Sequence, residues 1–399
     1  MAYTPKTWAD GAAGGTPSTA ADLNHLVQGV VGLTGPPSYA GVRTAPFNAS
    51  LSLYNGSVSS LERIRAKLLP AIAGTGKSTL LALGHSELAG SHATIGTNDV
   101  VVDLRKLFAA AGFLVGTGIV HMVNTTGQVI DSRYSAVAAG WAAAGSGVAA
   151  PFYQCTTSGA AFTFTSDVAG TVVYIATYGN SAAFTATIDG GTAQAVTLSG
   201  TAVAEVHTFT GLANTTHKVV ITSTTTGSTY AIGVGVGSPT SLDVENAGLG
   251  GSVASDWAPG GSFITAYPTA KASGTNAAIV ELDANEALTG VAVGTYKTNM
   301  QTILNDLVTT RAIPTLLVLS PSMVPGGGGY AAVSQATWDS FCSAQYDLAD
   351  QYSLPLLDLT HRYGSWAAAN TAGLMADQVH PNGAGYASNA VALARVLIA

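Results

Sequence analysis

Two kinds of hydrophobic pattern alternate along this chain, and together they limit the folds that it can adopt. Short continuous apolar runs occur at residues 80–83, 278–282, 314–320 and 355–359, and stretches of helical periodicity separate the later runs. Continuous runs of this kind are typical of parallel strands that helices bury on both faces. The parts of the chain that carry them therefore predict an α/β domain with a mostly parallel sheet.

Residues 152–237 have a different period, in which short β-branched runs alternate with turn residues such as Asp189 and Gly190. The runs lie at residues 162–165, 171–178, 183–191, 193–198, 203–209, 217–223 and 230–236. Several short strands with turn signals between them predict a β-sandwich. We therefore expect an inserted sandwich at 151–239, between two parts of one α/β domain at 61–150 and 240–399.

The chain begins with a Gly-, Pro- and Thr-rich segment, 1–35, which contains one amphipathic pattern. Thr19 can cap a helix there, Asp22 completes a capping box, and apolar residues recur on one face. A helix of about 12 residues is marginal alone in water. Its apolar face therefore packs on copies of itself or on a neighbouring protein, or it folds back on its own domain. Residues 36–60 have the composition of a linker.

The charge balance argues against a dedicated nucleic-acid-binding protein. The chain has 15 Lys and Arg against 22 Asp and Glu, a formal charge of −7, and it has no basic run that could neutralise phosphates. No apolar run reaches about 18 residues, so we expect no membrane span. The first residues also have neither the basic nor the apolar region of a secretory signal. Cys155 and Cys342 can form at most one disulfide, and no Cys/His cluster has the spacing of zinc ligands.

Residues 71–79 satisfy a relaxed phosphate-binding loop pattern that ends in Gly76, Lys77 and Ser78. A working loop follows a strand and leads into a helix, because the anion lies at the helix N-terminus. Here the residues that follow, 79–83, have the pattern of a strand. The order is inverted, so we expect this loop not to bind a nucleotide.

Ser86 follows directly on this strand, in the sequence Gly84-His85-Ser86. The ends of parallel strands open into the crevice where α/β sheets bind ligands, so a nucleophile is expected at such a position. Near the other end of the chain, Asp377 lies three residues before His380, close enough to orient an imidazole that could deprotonate Ser86. The alternative is that Ser86 only caps a helix and that Asp377 and His380 form an ordinary turn.

Two further polar segments follow predicted strands at the same edge of the sheet. Residues 246–251, Asn-Ala-Gly-Leu-Gly-Gly, follow the strand at 241–245, and residues 283–286, Asp-Ala-Asn-Glu, follow the strand at 278–282. Backbone N–H groups and amide side chains can stabilise negative charge on an oxygen. The same residues could instead serve tight turns or, for Asn285, cap the next helix.

These four segments, in this order, resemble the SGNH (GDSL-type) hydrolases, a family that cleaves esters. The resemblance begins at about residue 60 and resumes over 241–399, and it implies a flavodoxin-like three-layer α/β/α fold. It implies Ser86 as the nucleophile, His380 as the general base and Asp377 as the partner of that base. It also implies an oxyanion hole formed by the N–H of Ser86, the N–H of Gly251 and the side chain of Asn285. No metal or organic cofactor is implied.

The chain departs from the family pattern at two places. His85 stands where the family has Asp in Gly-Asp-Ser, and residues 283–286 stand where it has Gly-x-Asn-Asp. Neither change removes a catalytic atom, but both alter the residues that support the site, so a weak or inactive enzyme is an alternative. Gly248 and Gly250 are rivals of Gly251, which we prefer because its spacing from the preceding Asn matches the family.

Two further resemblances shape the predicted function. The opening segment is similar to the N-termini of tail and baseplate proteins from phages of actinobacteria, which attach to the particle, often as trimers. The sandwich is similar to jelly-roll modules found beside carbohydrate esterases. Together they imply a homotrimeric virion protein, bound to other tail proteins, that acts on the outer face of the host. We therefore predict a virion serine esterase that removes acyl groups, above all O-acetyl groups, from a host surface polysaccharide. The alternatives are an esterase of envelope lipids and a non-catalytic receptor-binding tail protein that retains the hydrolase fold.

Overall fold

The computed structural model describes residues 47–48, 51–56, 58–93, 95–121, 131–143, 153–201, 203–258, 274–321 and 333–398. The predicted N-terminal segment at 1–35, and with it the predicted helix, lies outside these residues, as does most of the predicted linker at 36–60. The structural description that follows therefore concerns the α/β and sandwich parts of the chain.

Apolar and β-branched residues form the strands of the described part. In chain order they are β1 (Phe47–Asn48), β2 (Leu53–Tyr54), β3 (Ser78–Gly84), β4 (Val115–Gly116), β5 (Gly118–His121), β6 (Tyr134–Ser135), β7 (Trp141–Ala143), β8 (Tyr153–Cys155), β9 (Ala161–Thr165), β10 (Val172–Tyr178), β11 (Phe184–Ile188), β12 (Gln194–Ala195), β13 (Ala204–Phe209), β14 (Lys218–Ser223), β15 (Thr229–Ala231), β16 (Gly233–Gly237), β17 (Leu242–Gly248), β18 (Ala277–Glu281), β19 (Thr315–Leu319) and β20 (Leu356–Asp358). The predicted apolar and β-branched runs thus all contribute strands.

All the described helices lie outside the stretch from β5 to β16. They are α1 (Val58–Ile72), α2 (Ser86–Ala89), α3 (Val100–Ala110), α4 (Ala254–Trp257), α5 (Ala284–Thr289), α6 (Val293–Leu304), α7 (Gln335–Tyr352), α8 (Leu359–Tyr363), α9 (Trp366–Thr371) and α10 (Gly383–Ile398). A π-helical turn, Asn305–Thr310, continues α6. No helix among these described elements combines the length and the apolar character that crossing a bilayer requires.

The central sheet has the strand order β1-β2-β20-β19-β18-β3-β17-β4. The strands from β20 to β4 run parallel, whereas β1 and β2 form an antiparallel hairpin at one edge. Numbered by their order in the chain, β17, β3, β18, β19 and β20 lie in the order 2-1-3-4-5, as in flavodoxin-like folds. Such a sheet binds ligands where its winding direction reverses, which here lies between β3 and β18.

Alternate residues of β3 face opposite sides of this sheet. Leu81 and Leu83 pack in a core with the side chains of α6 and α7, whereas Leu80 and Ala82 pack in a second core with α1, α3 and α10. Both faces of the sheet are thus covered by helices, which explains why its strands are apolar at successive positions. The predicted three-layer α/β/α fold is confirmed.

The strands between β4 and β17 form three further sheets, in the orders β13-β10-β16-β5, β12-β11-β14-β9-β6 and β15-β8-β7. All their pairs are antiparallel. The first two sheets share one apolar core, to which Val173 and Val234 contribute from one side and Phe164 and Ile221 from the other. Two sheets that bury a common core form a sandwich.

The sandwich begins earlier in the chain than the predicted boundary at residue 151. Strands β5, β6 and β7, which the sequence places in the first α/β part at 61–150, pair with β16, β9 and β8 of the sandwich sheets. These strands have two to four residues each. Their partners lie far along the chain, so local pattern does not reveal the pairing.

Lys77, the lysine of the phosphate-loop pattern, contacts both the α/β domain and the sandwich. Its Nζ lies 2.9 Å from Asp243 Oδ2 at the start of β17, and 3.9 Å from the centre of the Tyr174 ring in the sandwich. The loop that contains Lys77 follows α1 and leads into β3, so its order is the inverted one expected from the sequence. Cys155 and Cys342, for which the sequence left a disulfide open, are both buried free thiols.

Candidate active site

Ser86 lies where β3 ends at the winding reversal of the sheet. The backbone of β18 approaches closely there because Gly84 has no side chain: a Cβ atom at Gly84 would lie 2.5 Å from the Glu281 carbonyl oxygen. His85 caps the short helix α2, of which Ser86 is the first residue. The sequence therefore places Ser86 just after the carboxyl end of β3, at the start of α2.

The imidazole of His380 reaches this hydroxyl from the opposite end of the chain. His380 Nε2 lies 2.9 Å from Ser86 Oγ, although the two residues are 294 positions apart. Burial lowers the pKa of His380 below its ordinary value of 6.5, and this effect exceeds the opposing influence of Asp377. At pH 7 the ring is therefore neutral, and it can accept a proton.

Asp377 holds this ring from its other side. Its Oδ2 lies 2.9 Å from His380 Nδ1, while its Oδ1 accepts hydrogen bonds from the backbone N–H groups of Val379 at 2.7 Å and His380 at 2.6 Å. Burial acts to raise the pKa of Asp377, but these hydrogen bonds outweigh burial and keep the pKa below 3.8. The carboxylate is therefore charged, and it favours the tautomer in which Nδ1 carries the proton and Nε2 is free to act as a base.

Asn285 lies one residue into α5, directly after β18. Its Nδ2 donates to the Ser252 carbonyl oxygen at 2.9 Å. An amide nitrogen has two protons, so this bond fixes the orientation of the side chain and leaves the second N–H for another acceptor.

The three candidate glycines after β17 differ in their surroundings. A Cβ at Gly248 would lie 2.3 Å from the Ala89 nitrogen, so this glycine allows β17 and α2 to approach closely. A Cβ at Gly250 would lie 3.9 Å from the Ser86 Cβ, which places Gly250 beside the nucleophile. Gly251 adopts φ = +78°, a conformation that favours glycine. Gly251 stays the predicted oxyanion donor, with Gly250 as its neighbour at the site.

His85 and Asp283, which differ from the residues expected in the family pattern, contact each other. His85 Nε2 lies 3.4 Å from Asp283 Oδ1 and 3.0 Å from Ser320 Oγ, and the Ser320 hydroxyl donates to the same Asp283 oxygen at 2.6 Å. His85 and Asp283 are both fully buried. Burial alone would lower the pKa of His85, but Asp283 and the nearby Glu281 raise it above 6.5. Two buried polar residues that satisfy each other form one supporting network, so the departures are compensated within the structure.

Buried carboxyl groups surround this network. Burial raises the pKa of Glu87 well above the ordinary range, and the charge of Glu281 raises it further. Burial also raises the pKa of Glu281, to about 7. Burial also raises the pKa of Glu286 to about 7. Glu286 accepts a hydrogen bond from the Ala254 N–H, which ties α5 to α4. Glu281 and Glu286 therefore keep their protons to a higher pH than ordinary carboxyl groups do.

Sequence reasoning missed two residues that contact the triad. His92 places its Nε2 3.0 Å from Asp377 Oδ2. Trp366 donates from its ring nitrogen to the Asp377 carbonyl oxygen at 2.9 Å. Neither His92 nor Trp366 lies at a sequence spacing that predicts its contact with Asp377, because these contacts depend on the turns between helices and strands. His92, Asp377 and His380 are also the group of described residues that could hold a metal ion.

Comparison with known proteins adds an independent observation. Residues 222–388 match the sequence model of the GDSL-like Lipase/Acylhydrolase family. The match includes the segments of Gly251, Asn285, Asp377 and His380, whereas Ser86 precedes it. No curated protein sequence gives a significant match.

Solved structures of esterases align with this chain. A peptidoglycan O-acetylesterase aligns with a TM-score of 0.61 at 17% identity, and the alignment covers 87% of this chain and 98% of that one. A carbohydrate esterase family 2 enzyme with a carbohydrate-binding domain, from Corynascus thermopiles, aligns with a TM-score of 0.30 at 14% identity over 61% and 94% of the two chains. The α/β part of this chain thus has the fold of a solved O-acetylesterase, and residues 222–388 are similar to the GDSL-like Lipase/Acylhydrolase family.

Proposed function

We propose that this protein is a serine esterase in which Ser86 is the nucleophile, His380 is the general base and Asp377 orients and stabilises that base. The Ser86 hydroxyl oxygen attacks the ester carbonyl carbon as His380 Nε2 takes the hydroxyl proton. His380 then returns that proton to the leaving alcohol, and an acyl group remains on Ser86. Water, activated by His380, releases the acid and restores the serine. The observation that carries this proposal is the 2.9 Å distance between Ser86 Oγ and His380 Nε2.

The negative oxygen formed in each step needs donors in a fixed position. We assign this role to the N–H of Ser86, the N–H of Gly251 and the second N–H of Asn285. The N–H of Ser86 belongs to the first turn of a helix, where backbone donors have no partner within the helix. The bond from Asn285 to Ser252 supports the assignment because it fixes the amide before substrate arrives. These steps use only residues of this chain and water.

We propose O-acetyl groups on a cell-wall glycan as the substrate. The alignment with a peptidoglycan O-acetylesterase, which extends over 87% of this chain, supports an acetylated glycan over other esters. A sandwich attached to the α/β domain suits a polymeric substrate, because it adds surface beyond the crevice. Esters of envelope lipids are the alternative substrate.

We further propose that the protein acts from a phage particle as a homotrimer bound to other tail proteins. The similarity of residues 1–35 to the N-termini of tail and baseplate proteins supports this location. Detection of the chain in purified virions, together with a molar mass of three chains by light scattering, tests the two parts separately. A monomeric protein absent from virions would overturn both.

The activity is tested by acetate release from O-acetylated peptidoglycan, with a triacylglycerol emulsion as the lipid comparison. We expect wild type to release acetate from the glycan, and Ser86→Ala to be slower by a factor on the order of 10³ or more. Ser91→Ala is the matched control, because Ser91 is the nearest serine along the chain and its backbone N–H, which donates to the Ser86 carbonyl oxygen, is kept in the variant. Equal rates for wild type and Ser86→Ala, or hydrolysis of the lipid alone, would contradict the proposal.

A further inference from the structure

His92 lies beside the triad in an unusual backbone conformation. It follows α2 in a turn and adopts φ = +63°, which is uncommon for residues other than glycine. Its ring centre lies 4.9 Å from that of His380, and its Nε2 lies 3.0 Å from Asp377 Oδ2. The same carboxylate oxygen lies 2.9 Å from His380 Nδ1. One carboxylate oxygen therefore faces two imidazole nitrogens.

This arrangement has the dimensions of a metal site. One ligand atom each from His92, Asp377 and His380 lies within 4.8 Å of the others. Bonds of about 2.0–2.1 Å from Zn²⁺ to nitrogen and oxygen place tetrahedral neighbours about 3.4 Å apart. The two distances to Asp377 Oδ2, 3.0 Å and 2.9 Å, therefore need to open by about half an ångström, and the two histidine nitrogens, which lie within 4.8 Å of each other, need to settle at about 3.4 Å.

The three ligands suit a divalent transition metal that arrives from solvent. Two imidazoles and one carboxylate form a ligand set that zinc takes in proteins, with a fourth position left for water. The side chain of His92 is 50% exposed, that of Asp377 33% and that of His380 14%.

We propose that His92, Asp377 and His380 bind a divalent transition metal such as Zn²⁺, and that the bound ion switches off the esterase. Coordination needs the lone pair of His380 Nδ1, so the proton of the neutral ring must move to Nε2. A protonated Nε2 cannot accept the proton of the Ser86 hydroxyl, and the nucleophile is no longer activated. The binding part of this inference is independent of the proposed function, whereas the inhibition part rests on it.

Binding is tested by calorimetric titration of ZnCl₂ into the metal-free full-length protein. We expect one zinc per chain, with the same affinity in wild type and in Ser86→Ala, because Ser86 is not a ligand. His92→Asn should weaken binding at least tenfold, and Asn is chosen because it tolerates the left-handed backbone of this position. The control is His207→Asn, which removes a histidine that pairs with Glu205 at 2.9 Å within the sandwich. Unsaturable binding, or binding that His92→Asn leaves unchanged, would overturn the site.

Inhibition is tested by ester hydrolysis with added Zn²⁺, each variant being compared with its own rate in EDTA. Wild type and His207→Asn should lose at least nine-tenths of their activity at saturating zinc and regain it with EDTA. The zinc concentration that halves activity should rise at least tenfold in His92→Asn. Saturable binding that leaves the rate unchanged would overturn the proposed switch. If no ester is hydrolysed under any condition, the proposed function fails, and calorimetry still decides the metal site.

Discussion

Ser86 Oγ and His380 Nε2 lie 2.9 Å apart, across 294 residues of chain that include the whole sandwich. One of these residues follows β3 and the other precedes α10, so the contact exists only in the folded α/β domain. It joins a hydroxyl, which is a weak nucleophile alone, to a neutral base. The chemical consequences of this contact can be measured without knowledge of the natural substrate.

A fluorophosphonate reagent should modify Ser86 in preference to the other serines. The activated oxygen attacks phosphorus, the P–F bond breaks, and the hydroxyl proton passes to His380. Mass spectrometry should find one phosphonyl group per chain on the peptide that contains Ser86, and His380→Ala should label at least 100-fold more slowly. Ser91 is the internal control, and labelling of Ser91 at the same rate as Ser86 would remove the basis for calling Ser86 activated.

Replacing Asp377 with Asn should lower kcat by about 10²–10⁴-fold. The Asn amide does not stabilise the imidazolium that forms in the transition state, and it can favour the wrong tautomer of His380. The measurement is kcat on p-nitrophenyl acetate in buffer that contains EDTA. Asp189→Asn is the matched control, since it also alters an Asp–His contact, that of Asp189 Oδ2 with His217 Nδ1 at 2.7 Å, but within the sandwich. A comparable loss in both variants would point to a general effect on folding.

Asn285→Ala should reduce kcat by about 10²–10³-fold and leave KM nearly unchanged, because an oxyanion donor acts mainly in the transition state. Asn285→Asp provides a comparison of the same shape. Its carboxylate cannot donate a hydrogen bond and repels the developing charge, so it should be at least as slow as Asn285→Ala. Steady-state kinetics on one short-chain ester decide the question, and a rise in KM alone would assign Asn285 to substrate binding instead.

The sequence predicted the α/β fold and the meeting of Ser86 with His380 because both depend on regular features. The apolar runs mark buried parallel strands, and the residues after such strands must meet at one edge. The sequence did not predict the contact between His85 and Asp283, since it requires β3 and β18 to be neighbours in the sheet. It also did not predict His92, whose position depends on a turn with positive φ. Long-range pairing and turn geometry leave little trace in local pattern.

The buried pair of His85 and Asp283 should behave as one unit in a double-mutant cycle. Removing either residue leaves the other buried without its partner, at a cost of about 3 kcal/mol of unfolding free energy. Removing both avoids this penalty, so the double variant should be less destabilised than the sum of the single variants by about 1–3 kcal/mol. Urea unfolding of His85→Ala, Asp283→Ala and the double variant at pH 7 gives the three values. Additive losses would show that the two residues support the site separately.

Glu286→Gln should change how stability depends on pH. Burial raises the pKa of Glu286 to about 7 from its ordinary value of 4.5, so the folded protein holds this proton more tightly than the unfolded chain. The stability gained from the bound proton is complete below pH 4.5 and is lost as pH rises through 7, by about 3 kcal/mol in all.

Gln keeps the acceptor for the Ala254 N–H and has no proton to lose. The variant should therefore match wild type near pH 4 and exceed its unfolding free energy by up to about 3 kcal/mol at pH 8. Urea unfolding at both pH values measures this difference, and a constant offset between the two proteins would show that Glu286 does not titrate in this range.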